Sequence, residues 1–455
     1  MGYRELMSVA DTAWLRMDSP ENLMIINGVF FFEEHYPYER LAELLQERLL
    51  AIHRFRMRPI KDRGKYYWEE VASPDLGYHI SSATLPETDD EEAALKTFAN
   101  DLISKPLDAR HPLWRFVHID KYKEGSAVSF QIHHCYADGV ALMAVLDAVA
   151  DESVMHSSPA ARAGKPKISR VSGSGPAAAI RKFTQSGTFY TGFALGWLYE
   201  AMRVTFLPAD SQTAYKRPLT TTKQVAWAPS LDVSEVKRIG KELGCTINDV
   251  VLACVAGSLR QYLEANGESA EGVTVRATVP VNLRPLSQAM NLGNKFGLVY
   301  LDLPVGESDS IGRVKRVRKT MSKLKNGIQA FMSYNVLQIL GRCPTAMQRT
   351  ALNFFSQKAS AVMTNVPGPV KPVMLKGSKL AKPMFWVPQS GDIGIGVSIL
   401  SYNGKVEFGL IADMALIHDP QYVIDGFIAE YGQLKSRVLR NQVVKQPVLA
   451  ESVSS

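Results

Sequence analysis

The sequence predicts a mixed α/β protein of two domains, on three observations. The chain has 455 residues, too many for one ordinary hydrophobic core. Helical and strand periodicities follow one another along it without a strict βαβ rhythm. An irregular stretch rich in Ser, Pro, Gly and Ala, from Met155 to Arg181, separates two halves of similar size and texture. The expected boundaries are 1–154 for the first domain, 155–219 for a crossover and apolar helix, 220–443 for the second domain, and 444–455 for a disordered tail.

In the first half, Ser8-Val9-Ala10-Asp11 reads as a capped helix start leading into Trp14 and Leu15. Leu23 to Phe32 is a β-rich run with Gly28 inside it. Tyr38 to Ile52 has helical spacing, with Leu41, Leu44, Leu45 and Leu49 on one face. Tyr66 to Trp68 reads as a strand and Glu91 to Ile103 as a helix stopped by Lys105-Pro106. Leu113 to Ile119 and Ala127 to His134 read as strands around a turn, and Val140 to Ala150 as a helix. Phe183 to Leu207 is rich in aromatic and aliphatic residues, but Glu200 and Arg203 argue against a membrane span. It reads as a buried helix, or as an interfacial one beside the basic linker. In the second half, Ser230 to Gly244 and Asn248 to Asn266 read as helices, the latter capped by Thr246 with Asp249 in the capping-box position. Strands are expected at Gly272 to Pro280, Phe296 to Leu303, Ala359 to Asn365, Ile393 to Tyr402 and Lys405 to Ala412. Asn403-Gly404 marks a hairpin, and Pro420 to Leu439 closes the chain as a helix.

Composition narrows the function classes. Hydrophobic residues at 46% and charged residues at 21% suit a soluble or peripheral protein, not a channel. A net charge of +7 is mild for this length and does not point to nucleic acid. It suits a polyanionic cofactor or an anionic membrane surface. The four cysteines, Cys135, Cys245, Cys254 and Cys343, lack paired spacing, as expected in a reducing compartment. Met1 to Leu6 does not read as a signal peptide.

The segment that carries chemistry is His133-His134-Cys135-Tyr136-Ala137-Asp138-Gly139. Strand alternation puts His134 on the side of Val128, Phe130 and Ile132, and His133 on the other. A buried imidazole stays neutral at pH 7 and can accept a proton. Plainer readings stand beside this one. His134 can be a packed core residue, and Asp138 can simply cap the helix after it. Metal binding is disfavoured because adjacent strand histidines point to opposite faces, and no HExxH or CxxC pattern occurs elsewhere.

Further marks follow in order: Pro112-Leu113-Trp114, Asn248-Asp249, Val279-Pro280-Val281-Asn282-Leu283-Arg284, Asn365-Val366-Pro367-Gly368-Pro369, and Ser401 to Leu410. With HHxxxDG, they resemble the bacterial wax ester synthase/diacylglycerol acyltransferase family, from about Leu6 to about Leu439. HHxxxDG alone would indicate only the wider superfamily of coenzyme A-dependent acyltransferases. The triplet Cys135-Tyr136-Ala137 departs from the small and aliphatic residues usual there, which bears on alcohol preference. The resemblance implies two chloramphenicol acetyltransferase-like domains, each a mixed sheet with flanking helices, and an active-site tunnel between them.

The implied reaction moves a long-chain acyl group from acyl-CoA to a fatty alcohol or diacylglycerol, with no cofactor and no metal. His134 is the expected general base, with Asp138 as an orienting residue, His133 as a secondary one and Gly139 allowing close approach. Asn248 is a candidate oxyanion donor because the resemblance brings its motif to the site; the other reading is the first turn of a capped helix. Asp249 is expected to serve the cap, Arg284 to pair with Asp138, and Pro112, Leu113 and Trp114 to shape the tunnel wall. A rival mechanism would use Cys135 as an acyl carrier. Alternatives are a related acyltransferase with a polyketide, short-chain or amine acceptor, and a non-catalytic lipid-binding protein. The expected location is cytoplasmic, with peripheral contact to the inner membrane or lipid droplets through 162–207.

Overall fold

The computed structural model describes residues 3–153, 202–284, 292–325 and 329–443. Most of the expected linker, most of the apolar stretch after it and the tail lie outside these residues. Strands are numbered here in chain order. One sheet has six strands in the order β13 (Met374–Leu375), β14 (Ser378–Trp386), β2 (Ile25–Phe32), β7 (Gly125–His133), β6 (Trp114–Tyr122) and β5 (Ile80–Ala83). A second runs β11 (Phe296–Leu303), β10 (Val275–Asn282), β12 (Ala361–Pro367), β15 (Ile395–Tyr402), β16 (Lys405–Asp413) and β8 (Lys223–Trp227), with β9 (Leu231–Asp232) on β16. A small third sheet joins β1 (Arg4–Leu6), β4 (Lys65–Glu70) and β3 (Met57–Asp62). Both large sheets are mixed: β5–β6, β10–β12 and β12–β15 are parallel pairs, and the others are antiparallel.

Alternation explains the central strand β7. Val128, Phe130 and Ile132 face one core. Gln131 faces the other way, and its buried amide donates to Asn27 Oδ1 (2.9 Å) and to the Leu102 carbonyl (3.0 Å), so no polar atom there goes unpaired. The second core wraps the helix Ile247–Ala265, buried from Asp249 to Leu259. This helix packs against the closing helix Pro420–Val443. The helix expected over Tyr38 to Ile52 is α-helical to Leu44 and continues as a π-helical turn, Leu45–Leu49, which keeps Leu45 and Leu49 buried.

The two halves are not separate in space. Strand β14, from the second half, pairs antiparallel with β2, placing Phe385 opposite Gly28 and Trp386 opposite Asn27. Pattern reading passes over this strand because Pro383 interrupts it and Lys379 and Lys382, three residues apart, break the period-2 alternation. The expected division at 220 does not anticipate the exchange. Strand β8 and the helices Gln329–Leu340 and Thr345–Ser356 were likewise not expected.

Candidate active site

A cavity of about 340 Å³ lies between the two large sheets, within the usual size of ligand sites. The first half supplies Val128, Phe130 and Ile132 of β7, residues of β2 and the helix Gly139–Val149. The second half supplies Thr278 and Asn282 of β10, Phe296 and Leu298 of β11, and Thr364 to Pro367 of β12. His134 stands on this wall, one residue past the end of β7, and is 7% exposed.

Four contacts hold His134 in place. Its ring stacks on Trp14, with centroids 4.4 Å apart and planes at 24°, and Phe296 closes a second side at 5.8 Å. Its backbone N–H donates to the Met24 carbonyl (2.7 Å). Its carbonyl accepts from Asn294 Nδ2 (2.9 Å), and the same amide donates to Asp11 Oδ1 (3.0 Å). Nδ1 is buried, and no well-formed hydrogen bond reaches it from the described residues. Nε2 is therefore the nitrogen a substrate can meet. Burial lowers the His134 pKa from 6.5 to about 4, against weaker opposing pulls from the Asp138 carboxylate, its own carbonyl and Asn294. At neutral pH the ring is an uncharged base.

Asp138 caps the next helix: its Oδ1 accepts from the Ala141 amide (2.9 Å). The same carboxylate accepts from the Lys295 amide (3.0 Å) and pairs with Arg284 at 3.1 Å, both side chains being buried. Arg284 also donates to the Gly293 carbonyl (2.6 Å), while the Gly293 amide donates to the Tyr136 carbonyl (3.1 Å). Gly293 has φ +104°, a backbone shape that disfavours a side chain, and a Cβ there would press on Asp11. The second half thus clamps the histidine loop through residues 293–295. Gly139 opens the helix on the cavity wall, with Val366 beside it.

Several expected site residues lie elsewhere. His133, placed among the catalytic residues by the sequence, is off the cavity wall. Its Nε2 is 3.2 Å from Asp18, its Nδ1 accepts from the Cys135 amide (3.1 Å), and it orders the loop. Pro112, Leu113 and Trp114 do not line the cavity. The Leu113 amide donates to the Tyr136 hydroxyl (2.8 Å), and Trp114 donates to the Phe55 carbonyl (2.8 Å) and stacks on His79. This motif braces the histidine loop from behind. Asn248 is also absent from the cavity wall and sits in the first turn of its helix, so the oxyanion role has no geometric support. Asp249 completes a capping box with Thr246.

Cys135 is fully buried in the first core and is not on the cavity wall; burial pushes its thiol pKa well up. A Cys135→Ala enzyme is expected to release thiol at the parent rate. Lost turnover would restore the acyl-cysteine route.

Trp14, Asp11 and Asn294 are the residues that sequence reasoning missed as parts of the site. Asp11 was legible only as a helix-start residue, and Asn294 carries no local signal at all.

Two mixed sheets thus meet over an apolar cavity with a neutral imidazole on its wall. The family model described as the wax ester synthase/diacylglycerol acyltransferase catalytic domain matches residues 7–251, and that of the WS/DGAT C-terminal domain matches residues 292–435. A probable diacylglycerol O-acyltransferase of Mycobacterium tuberculosis is 26% identical over 429 residues, covering 90% of each chain. An O-acyltransferase of Acinetobacter baylyi is 26% identical over 436 residues, covering 88% of this chain and 91% of its own. The solved wax ester synthase/diacylglycerol acyltransferase of Marinobacter aquaeolei VT8 superposes with a TM-score of 0.68 at 21% identity, over 95% of this chain and 99% of that one. The starter condensation domain of rhizomide synthetase shares the fold at a TM-score of 0.55 and 13% identity, over 96% and 94%. The chain belongs to the wax ester synthase/diacylglycerol acyltransferase family, and it is an acyltransferase.

Proposed function

We propose that this enzyme moves a long-chain acyl group from acyl-CoA to a fatty alcohol or to diacylglycerol, by direct transfer without an acyl-enzyme. His134 Nε2 takes the hydroxyl proton as the oxygen attacks the thioester carbonyl. The tetrahedral intermediate collapses, the C–S bond breaks, and the imidazolium returns the proton to the thiolate. Ester and free coenzyme A leave. A thioester is already activated, so the reaction calls for no metal or redox cofactor. The single observation that carries this reading is the neutral His134 ring on the wall of an apolar cavity. Acid–base catalysis of this kind contributes roughly 10²–10⁴-fold, and positioning of the two substrates adds to it.

The length of the cavity supports a long acyl chain. Its lining on β7 runs from His134 back to Val128, a span of about 20 Å at strand rise. On the neighbouring helix it runs from Gly139 to Val149, about 15 Å at helical rise. Half the ~30 Å hydrocarbon core of a bilayer, the reach of one acyl chain, is about 15 Å. Val149, Leu45 and Leu49 line this arm at the end away from His134. A Val149→Phe enzyme is expected to lose palmitoyl-CoA turnover at least about tenfold relative to decanoyl-CoA, since each methylene denied burial costs about 0.8 kcal/mol. An unchanged chain-length profile would move the acyl arm elsewhere.

The test of the function is thiol release from palmitoyl-CoA with hexadecanol or dioleoylglycerol, with the products separated. Wax ester or triacylglycerol in step with thiol supports the reading. Lipid binding without thiol release would overturn it. Among the described residues no single helix is long and apolar enough to cross a membrane. The reading places the enzyme in the cytoplasm, meeting its lipid substrates at a membrane or droplet surface.

A further inference from the structure

Ten large apolar side chains stand exposed among the described residues, and six of them share one region: Met202, Phe206, Phe331, Ile339, Met347 and Phe354. Phe331 and Ile339 lie on the helix Gln329–Leu340, which carries no charged residue; Met347 and Phe354 lie seven residues apart on the helix Thr345–Ser356, hence on one face of it. Lys358 ties the remaining pair to these helices. Its ammonium donates to the Thr205 carbonyl (2.8 Å) and the Leu207 carbonyl (2.6 Å) and lies 4.3 Å from the Phe354 ring centre. A solvated helix face of this composition is unusual for a protein surface.

The region is also basic, although Arg313 is buried against Glu430 and Arg316 pairs with Glu307 on the helix that precedes it. From Ser310 to Lys358 the sequence has ten lysines and arginines and no acidic residue. The whole chain carries +7, so the rest of it is net −3 (7 minus 10). Arg342 and Arg349 stand exposed at the two helices, with no acidic partner among the described residues. The basic helix Ser310–Lys325 flanks the same edge strand, β11.

This surface is one layer from the chemistry. Ser333 Oγ accepts from the Leu298 amide (2.6 Å), and Leu298 lines the cavity. Gly297 lets the helix come this close, because any side chain there would run into the Ala330 carbonyl. Arg16 donates to the Cys343 carbonyl (3.0 Å) and Gln348 to the Ala13 carbonyl (2.9 Å), strapping both helices to the helix that carries Trp14.

We propose that the helices Gln329–Leu340 and Thr345–Ser356, with the segment 202–207, form a docking face for an anionic phospholipid surface. This rests on the reading of the substrates as lipids. The apolar side chains enter the headgroup boundary, the arginines meet lipid phosphates, and the cavity is held beside the layer in which alcohol or diacylglycerol is dissolved.

The experiment is co-sedimentation of the full chain with phosphatidylcholine vesicles, with and without phosphatidylglycerol. Two variants are compared, Phe331→Ser with Ile339→Ser, and Arg342→Glu with Arg349→Glu. The parent is expected to bind the anionic vesicles more tightly and to be weakened by salt. The arginine variant should bind at least about tenfold less, since each basic residue at such a surface is worth roughly a factor of five. The apolar variant should also lose binding, on both vesicle types. Thiol release with detergent-dispersed hexadecanol should be equal in all three proteins, which shows that the variants are folded. Variants that sediment like the parent would overturn the proposal. So would a parent dimer that binds no vesicles and that the apolar variant makes monomeric, because a second copy would then cover the face. Failure of the detergent assay in every protein would instead count against the acyl-transfer reading, whatever the vesicles show.

Discussion

A His134→Ala enzyme is expected to turn over roughly 10²–10⁴-fold more slowly than the parent while remaining folded. The size of the effect follows from what else the cavity holds. Asp138 also lines it, but its carboxylate is committed to the Ala141 and Lys295 amides and to Arg284. Tyr36 lines it too, and burial raises its pKa, so it stays a protonated phenol. Neither can take a proton from an alcohol near pH 7. The substitution removes one ring from a stack with Trp14 and breaks no hydrogen bond among the described side chains, so the fold should survive it. Thiol release with palmitoyl-CoA and hexadecanol, beside far-ultraviolet circular dichroism, reads both quantities. Parent activity in a folded His134→Ala protein would remove the histidine from the chemistry.

An Arg284→Met enzyme is expected to be the least stable of the simple variants. Asp138 and Arg284 are both buried, so removing the cation strands a carboxylate in the interior, at a cost of about 3–5 kcal/mol. The surviving bonds to the Ala141 and Lys295 amides favour the lower end of that range. The same change frees the Gly293 carbonyl, so the clamp on the histidine loop loosens and turnover should fall with stability. Adding Asp138→Asn should recover part of the loss, because asparagine still caps the helix and no charge is left unpaired. The midpoint of thermal unfolding across the three proteins checks this. Equal midpoints for the parent and Arg284→Met would mean that the pair contributes nothing.

Short-range physics was the legible part of this chain. Period-2 alternation in β7 is enough to place His134 with Val128, Phe130 and Ile132 on one wall. A capping residue before an apolar helical run is enough to place Asp138. What pattern could not supply was which elements meet across long separations. Trp114 and Phe116 share a face of β6, yet only Phe116 reaches the cavity, because Phe55 and His79 cover Trp114. Asn294 binds His134 across 160 residues, and β14 joins β2 across some 350, and nothing in the sequence marks either pair as partners. The Asn248 assignment came from resemblance rather than from packing, and the geometry puts that residue in the first turn of a capped helix, off the cavity wall.

The charge state of His134 gives the most direct measurement. An ordinary imidazole, with pKa 6.5, would be about nine-tenths protonated at pH 5.5 and useless as a base there. With its pKa near 4, His134 stays almost wholly neutral at that pH. The sign for stability is opposite in convenience: as pH falls from 6.5 toward 4, the unfolded chain takes up protons at His134 and His79 that the folded chain refuses, so the fold weakens. The comparison therefore belongs at pH 5.5 and 7.5, with folding verified at both. The ratio of kcat/KM for thiol release at those two pH values is expected to be near one. A fall of about tenfold at pH 5.5 in folded protein would mean an imidazole titrating as it does in water, and would contradict the account.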